Sequence, residues 1–390
     1  MIVSRRDLLR RVFTLGGLAA VVSFLESCAD ATLEVQDTVT SEATKPSATL
    51  EVQNMVTSGA TKPSATLEVQ NMVTGEATKP AATPEAAEGT GMARVAFVKT
   101  RDRVAGVRRA LDLLDLDPVQ GGSVLFKPNF NSADPVPGST HNDVLRTLVQ
   151  ELRARGAGAI TVADRSGMGD TRRVMQRKGV FDLAQDLEFE ALVLDELEGD
   201  DWVEVQPPGS HWRQGFLFAR PCLEADILVQ TCCLKTHRFG GHFTMSLKNS
   251  VGMVAKYGPD GYDYMGELHS SPHQRLMIAE INAAYVPQLV VLDGVEAFVT
   301  GGPDSGQRVW AEVVLASTDR VAIDAVGVAV LRHFGTTREV SQGDIFQQEQ
   351  IARAVELGLG VGGADEIQLL TPDPDSEAYA AQIHEILLHE

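Results

Sequence analysis

The sequence predicts an α/β fold: a mostly parallel sheet with helices on both faces and a small antiparallel excursion. Three observations carry this expectation. From residue 92 onward, short Val/Ile/Leu-rich runs alternate with longer amphipathic stretches, the pattern of strands joined by helical crossovers. Most of the short runs are continuously apolar, as strands covered on both faces should be. Several run straight into polar clusters, which an open α/β sheet would gather beyond its strand ends.

The first 27 residues read as an export address. Ser4-Arg5-Arg6-Asp7-Leu8-Leu9-Arg10-Arg11 is a basic start with paired arginines, followed by an apolar run over 12–25 and then Leu25-Glu26-Ser27-Cys28. This matches a twin-arginine signal ending in a lipoprotein box, with Cys28 as the lipidated residue. The apolar run falls short of the ~20 residues a spanning helix needs. An uncleaved anchor stays open as the alternative, because Glu26 is an awkward neighbour for a lipidated cysteine. Either way the rest of the chain is expected outside the cytoplasm, held at the membrane.

Residues 28–91 read as a stalk. Ala-Thr-Leu-Glu-Val-Gln begins at Ala31, Ala48 and Ala65, and Ala-Thr-Lys-Pro closes each copy. These Thr/Ser/Pro/Glu units have too few apolar residues to build a core. A flexible coil of this length would span roughly 45 Å.

Residues 92–390 form the predicted α/β domain. Its expected strands are 94–98, 124–127, 160–163, 191–194, 227–231, 289–292, 311–316 and 366–370. Helical stretches are expected at 142–155, 274–285, 322–333 and 348–357. The segment 200–218, with Trp202, Trp212 and Pro207-Pro208, supplies the antiparallel excursion. The whole chain of 390 residues is 44% hydrophobic, enough for a sizeable core, and carries a net charge of -19. That balance argues against nucleic acid as a partner, since phosphate binding needs clustered Lys and Arg. An anionic ligand would need a local basic pocket.

Four polar clusters follow strands. Lys127-Pro128-Asn129 closes the second; a strand-end lysine in solvent is the plain alternative. Asp164, Ser166, Gly167 and Gly169 follow the third, where backbone amides could cradle phosphate and where helix capping explains the same residues. Asp293-Gly294 follows the sixth and is also a turn signature.

The densest cluster runs from Lys235 through His237, Arg238 and His242 to Lys248-Asn249. Packing does not require so many cations in one loop. Lys235, Arg238 and Lys248 could hold an anion, and His237 could move protons near neutrality or bind metal. His237 and His242 match no standard zinc spacing, so a divalent metal is only a weak candidate cofactor. Cys222, Cys232 and Cys233 read as buried thiols, with a Cys222 disulfide to either neighbour as the alternative. There is no four-cysteine iron–sulfur run, Walker loop, nucleophile elbow or His-Glu-x-x-His. Gly358-Leu359-Gly360-Val361-Gly362-Gly363 lies after a helix and before a strand, the reverse of a dinucleotide loop.

Taken together, Lys127-Pro128-Asn129, the 164–167 turn, Lys235-Thr236-His237, Ser246 to Gly252, 288–294 with Gly302-Pro303, and Thr318-Asp319 to Gly327 resemble the landmarks of domain-of-unknown-function family 362. The resemblance covers roughly residues 93–370. It implies the α/β fold and a site along the stretch from Lys235 to Asn249. Family members often carry ferredoxin-type cysteine clusters after this domain, and this chain has none. Asp319 and Asp324 gain weight only from that resemblance; alone they read as a helix cap and a first-turn acid.

The expected site therefore joins His237, Asp164 and Asp293 as catalytic groups with Lys127, Asn129, Ser166, Lys235, Arg238, Lys248 and Asn249 around a small anionic ligand. The expected activity is that of an enzyme, with a non-catalytic anion- or metal-binding lipoprotein as the alternative.

Overall fold

A computed structural model describes residues 92–116 and 121–389. The export signal, Cys28 and the stalk lie outside the described residues. No described helix is long and apolar enough to cross a membrane.

Among the described residues there are eleven strands: β1 Ala93–Lys99, β2 Val124–Lys127, β3 Ile160–Asp164, β4 Glu190–Val193, β5 Trp202–Val205, β6 Phe216–Ala219, β7 Ile227–His237, β8 His242–Thr244, β9 Leu289–Gly301, β10 Gly306–Ser317 and β11 Ile367–Leu370. Nine of them form one sheet in the order β11-β1-β10-β9-β7-β2-β3-β4, with β8 added on β7. The run β9-β7-β2-β3-β4 is parallel, as is β11-β1, whereas β10 is antiparallel to both its neighbours. The predicted mostly parallel sheet is what forms. The excursion is β5 and β6, a separate antiparallel pair.

Helices cover both faces. Arg103–Leu114 and Asn142–Ala154 pack Val107, Ala110, Val144 and Leu148 onto one face. The opposite face is built around Arg320–His333, in which every residue from Arg320 to Arg332 is buried. A helix apolar on nearly all sides belongs in the middle of a core. Arg320 is tolerated there because its guanidinium donates to the carbonyls of Asn282 and Tyr285, giving the charge the partners that burial demands. A third cluster, including Trp212, Phe216, Phe218 and Met277, seats the β5–β6 excursion.

Three strands are markedly longer than the sequence suggests, one of them β10, which begins at Gly306 rather than 311. β7 continues past Thr231 to His237, so Lys235 and His237 stand on the strand and only 238–241 form the turn into β8. β9 continues through Asp293 and Gly294 to Gly301, so this pair makes no turn. The physical reason is pairing: β9 is flanked along its length by β7 and β10, and ladder hydrogen bonds outweigh the local turn preference of Asp-Gly.

Candidate functional site

Parallel β7, β2 and β3 are adjacent, so their carboxyl ends deliver Lys235/His237, Lys127/Asn129 and Asp164/Arg165 to one place. These residues, with the helix Ser246–Asn249, enclose a chamber of about 40 Å3 lined by Lys127, Asn129, Asp164, Arg165, His237 and Lys248 among others. It shares Asn131, Arg165, Gly167, His237, Lys248, Val251 and Pro303 with an outer cleft of about 250 Å3.

The floor of the chamber is a chain of buried polar contacts. Lys235 Nζ donates to Asn129 Oδ1 at 2.8 Å and to the Gly138 carbonyl. Asn129 Nδ2 donates to Asn249 Oδ1 at 3.4 Å, which also accepts from Lys127 Nζ at 3.2 Å. Lys127 Nζ lies 2.6 Å from Asp164 Oδ1 and donates to the Pro128 carbonyl at 2.7 Å. Asp164 further accepts the Phe130 and Arg165 N–H groups at 2.6 and 2.7 Å. Burial moves Lys127 downward and Asp164 upward, toward their neutral forms, each opposed by the charge of the other. Burial also lowers Lys235.

Backbone approach to this floor depends on glycine. A Cβ on Gly252 would meet Asp164 Oδ1 and Lys127 Nζ, both at 2.7 Å, and one on Gly241 would meet His237 Nδ1 at 2.8 Å and Lys248 Cε at 2.9 Å. Any larger residue at either position would push into the chamber.

Lys248 differs from the other lysines. It lines both chamber and cleft, and its amine makes no hydrogen bond or ion pair with any described residue. Burial, then repulsion from Lys235 and Arg165, lowers its pKa to about 7. Near neutral pH it is shared between ammonium and free amine, so it can bind an anion or exchange a proton.

The short helix bearing Lys248 is held from across the molecule. Asp324, on Arg320–His333, accepts the N–H groups of Ser246 at 2.7 Å and Leu247 at 3.0 Å. Its own helix is capped by Asp319, which accepts from Val321 and Ala322. The first-turn reading of Asp324 is thereby corrected: its partners belong to another helix, and burial lifts its pKa to about 7.

Several expected site residues have other duties. His237 is not poised near neutrality: burial first, then Lys248 and Lys235, hold its pKa far below the usual imidazole range. Its Nδ1 accepts the Gly241 N–H at 3.3 Å, so the neutral ring carries its proton on Nε2 and can donate there. Asp293 does not line the chamber; its carboxylate meets Arg103 Nε at 2.7 Å and accepts the Val295 N–H. Ser166 Oγ is buried and donates to the Phe130 carbonyl at 2.6 Å, so the hydroxyl is structural. Arg238 leaves the chamber for Asp304, at 2.9 Å, and the Gly302 carbonyl.

The metal reading finds no ligand set. The electrostatic neighbours of His237 are Lys248, Lys235, His269 and Arg238, whereas those of His242 are Arg275, Glu349 and Glu339. Among the described residues, no group of three or more His, Cys, Asp or Glu could hold an ion. A chamber lined by Lys127, Arg165 and Lys248 also repels a divalent cation. Cys222, Cys232 and Cys233 are buried free thiols, with burial pushing Cys222 up to about 12 and Cys233 up to about 11.

Arg165 and Lys256 are lining residues that sequence reading passed over. Arg165 is buried, with Nε donating to the Val254 carbonyl at 2.9 Å and Nη2 to the Val251 carbonyl. Its place directly after Asp164 at a strand end was the one available signal.

Thylakoid-associated protein sll1697 of Synechocystis sp. is 26% identical over 215 residues, covering 54% of this chain. The chain spans 64% of that relative's length. Among solved structures, the lactate racemase apoprotein from Thermoanaerobacterium thermosaccharolyticum aligns with a TM-score of 0.37 and 19% identity, covering 54% of this chain and 51% of that one. Residues 124–329, more than half of the chain and the span that supplies every residue lining the chamber, match the family described as Domain of unknown function (DUF362), to which this protein belongs.

Proposed function

We propose that this protein is an exported, lipid-anchored enzyme that binds a small anionic substrate in the chamber and exchanges a proton with it through Lys248. The single observation that carries the reading is the partnerless Lys248 amine, lowered to about 7 and facing the cavity. Lys127 and Lys235 already have partners, as do Asn129 and Asn249, and form a fixed polar floor. His237 adds a neutral donor. Asp164 acts by holding Lys127 rather than by moving a proton. Export and anchoring through Cys28 rest on the paired arginines and the short apolar run.

A second reading, a binder without chemistry, is favoured by one fact. Lys248 lines the chamber with no partner for its amine, and one unpaired cation suffices for capture. The full chain in detergent, titrated calorimetrically with acetate and inorganic phosphate, tests the site: wild type should bind, Lys248→Arg should retain binding and Lys248→Met should lose it. Equal binding by Lys248→Met would refute the assignment. Solvent-deuterium uptake by bound small acids, followed by NMR, separates enzyme from binder.

A further inference from the structure

The outer cleft has a wall that anion binding does not need. Met168, Phe239 and Tyr257 line it, and they are 42%, 50% and 64% exposed. Only seven large apolar side chains among the described residues are that exposed, and these three converge from three separate segments on one opening. Exposed apolar surface gathered at a pocket mouth marks a binding surface more often than chance scatter does.

The Phe239 ring of this wall is also held in place. The Arg238 guanidinium lies 4.4 Å from the Phe239 ring centre and is itself tied to Asp304 and the Gly302 carbonyl. His237 meets the same ring edge-on at 5.8 Å. Arg238, expected to hold the anion, instead positions an aromatic ring beside His237, which lines both compartments.

Size and continuity limit the occupant. Chamber and cleft share Lys248 and His237, so one molecule can reach both. Volumes of about 40 and 250 Å3 fit a small head and a compact body, below the range that encloses larger drug-sized ligands.

We propose that the ligand is an amphipathic acid of metabolite size, its carboxylate or phosphate seated at Lys248 and its aryl or branched-alkyl body packed against Phe239, Tyr257 and Met168. This rests on the anion site proposed above and adds the class of molecule it selects.

The test is a calorimetric series on the full chain, against detergent-only blanks: acetate with phenylacetate, inorganic phosphate with phenyl phosphate, and neutral benzyl alcohol. Each phenyl compound should bind about tenfold or more tighter than its parent anion, since burying part of a ring is worth at least one such factor. The two pairs identify the preferred head. Phe239→Ala and Tyr257→Ala, both surface changes, should each shrink the phenyl-to-parent ratio by several fold. Equal affinities within each pair would overturn this proposal and leave the anion site standing. A phenyl advantage untouched by both variants would also overturn it, because the body would sit elsewhere. Benzyl alcohol binding as tightly as phenylacetate would instead sink the anion site, and the amphipathic reading with it.

Discussion

Lys248 gives the clearest residue-scale predictions, because its affinity and stability effects have opposite signs. Anion binding needs the ammonium, which is present below about pH 7 and lost as pH rises through that value. Affinity for acetate should therefore fall about tenfold per pH unit well above pH 7, and Lys248→Arg should flatten that fall, as titration calorimetry across pH will show. Stability runs the other way. A lysine whose folded pKa lies below its unfolded value of 10.5 binds fewer protons when folded, so its penalty is complete below about pH 7 and fades toward 10.5. Lys248→Met should be more stable than wild type at pH 6, with the gap closing at high pH in denaturant unfolding. Lys127 is the contrast. Lys127→Met strands Asp164 in a buried site and should lose about 3–5 kcal/mol, much of it recovered when Asp164 is also made apolar.

At the scale of elements, the helix Ser246–Asn249 has four residues and cannot define its own position. Asp324 defines it. Asp324→Ala leaves two buried N–H groups without their acceptor and should lower stability by about 1–3 kcal/mol and weaken anion binding. Asp324→Asn keeps one acceptor oxygen and should do less on both counts. Gly252→Ala is expected to displace the Lys127–Asp164 pair at a stability loss of about 1–3 kcal/mol. The elements also mark what the sequence could and could not disclose. Continuous apolar runs revealed β2, β3 and the start of β7, and the polar residues just beyond them led to Lys127, Asn129, Asp164 and Lys235. Local pattern stops at Thr231 and Asp293 because the forces that extend β7 and β9 come from neighbouring strands distant in sequence. The same limit hid Arg165, whose partners lie 86 and 89 residues away, and the cross-helix duty of Asp324. His237 lines the chamber, but the expectation that it moves protons near neutrality missed its burial first, and then the nearby charges of Lys248 and Lys235, none of which local sequence shows.

For the whole molecule, the sheet order decides which strand ends meet. Placing β7 between β9 and β2 brings Lys235 against Asn129, while Asp293 pairs with Arg103 away from the chamber. The proposed attachment through Cys28 belongs to this scale too. Cys28→Ser should move the protein from the membrane to the soluble fraction, and Arg5→Lys with Arg6→Lys should block its export, both read by cell fractionation and immunoblotting. The cationic chamber also sits inside a chain of net charge -19. An approaching acid is repelled at long range and attracted only once it reaches Lys248. Salt screens the first effect over a Debye length of about 10 Å and reaches the enclosed second effect far less. Association of the ligand should thus accelerate as ionic strength rises toward physiological levels, the reverse of electrostatic steering, so that the protein's own field acts as a kinetic filter favouring acids whose charge is small for their size.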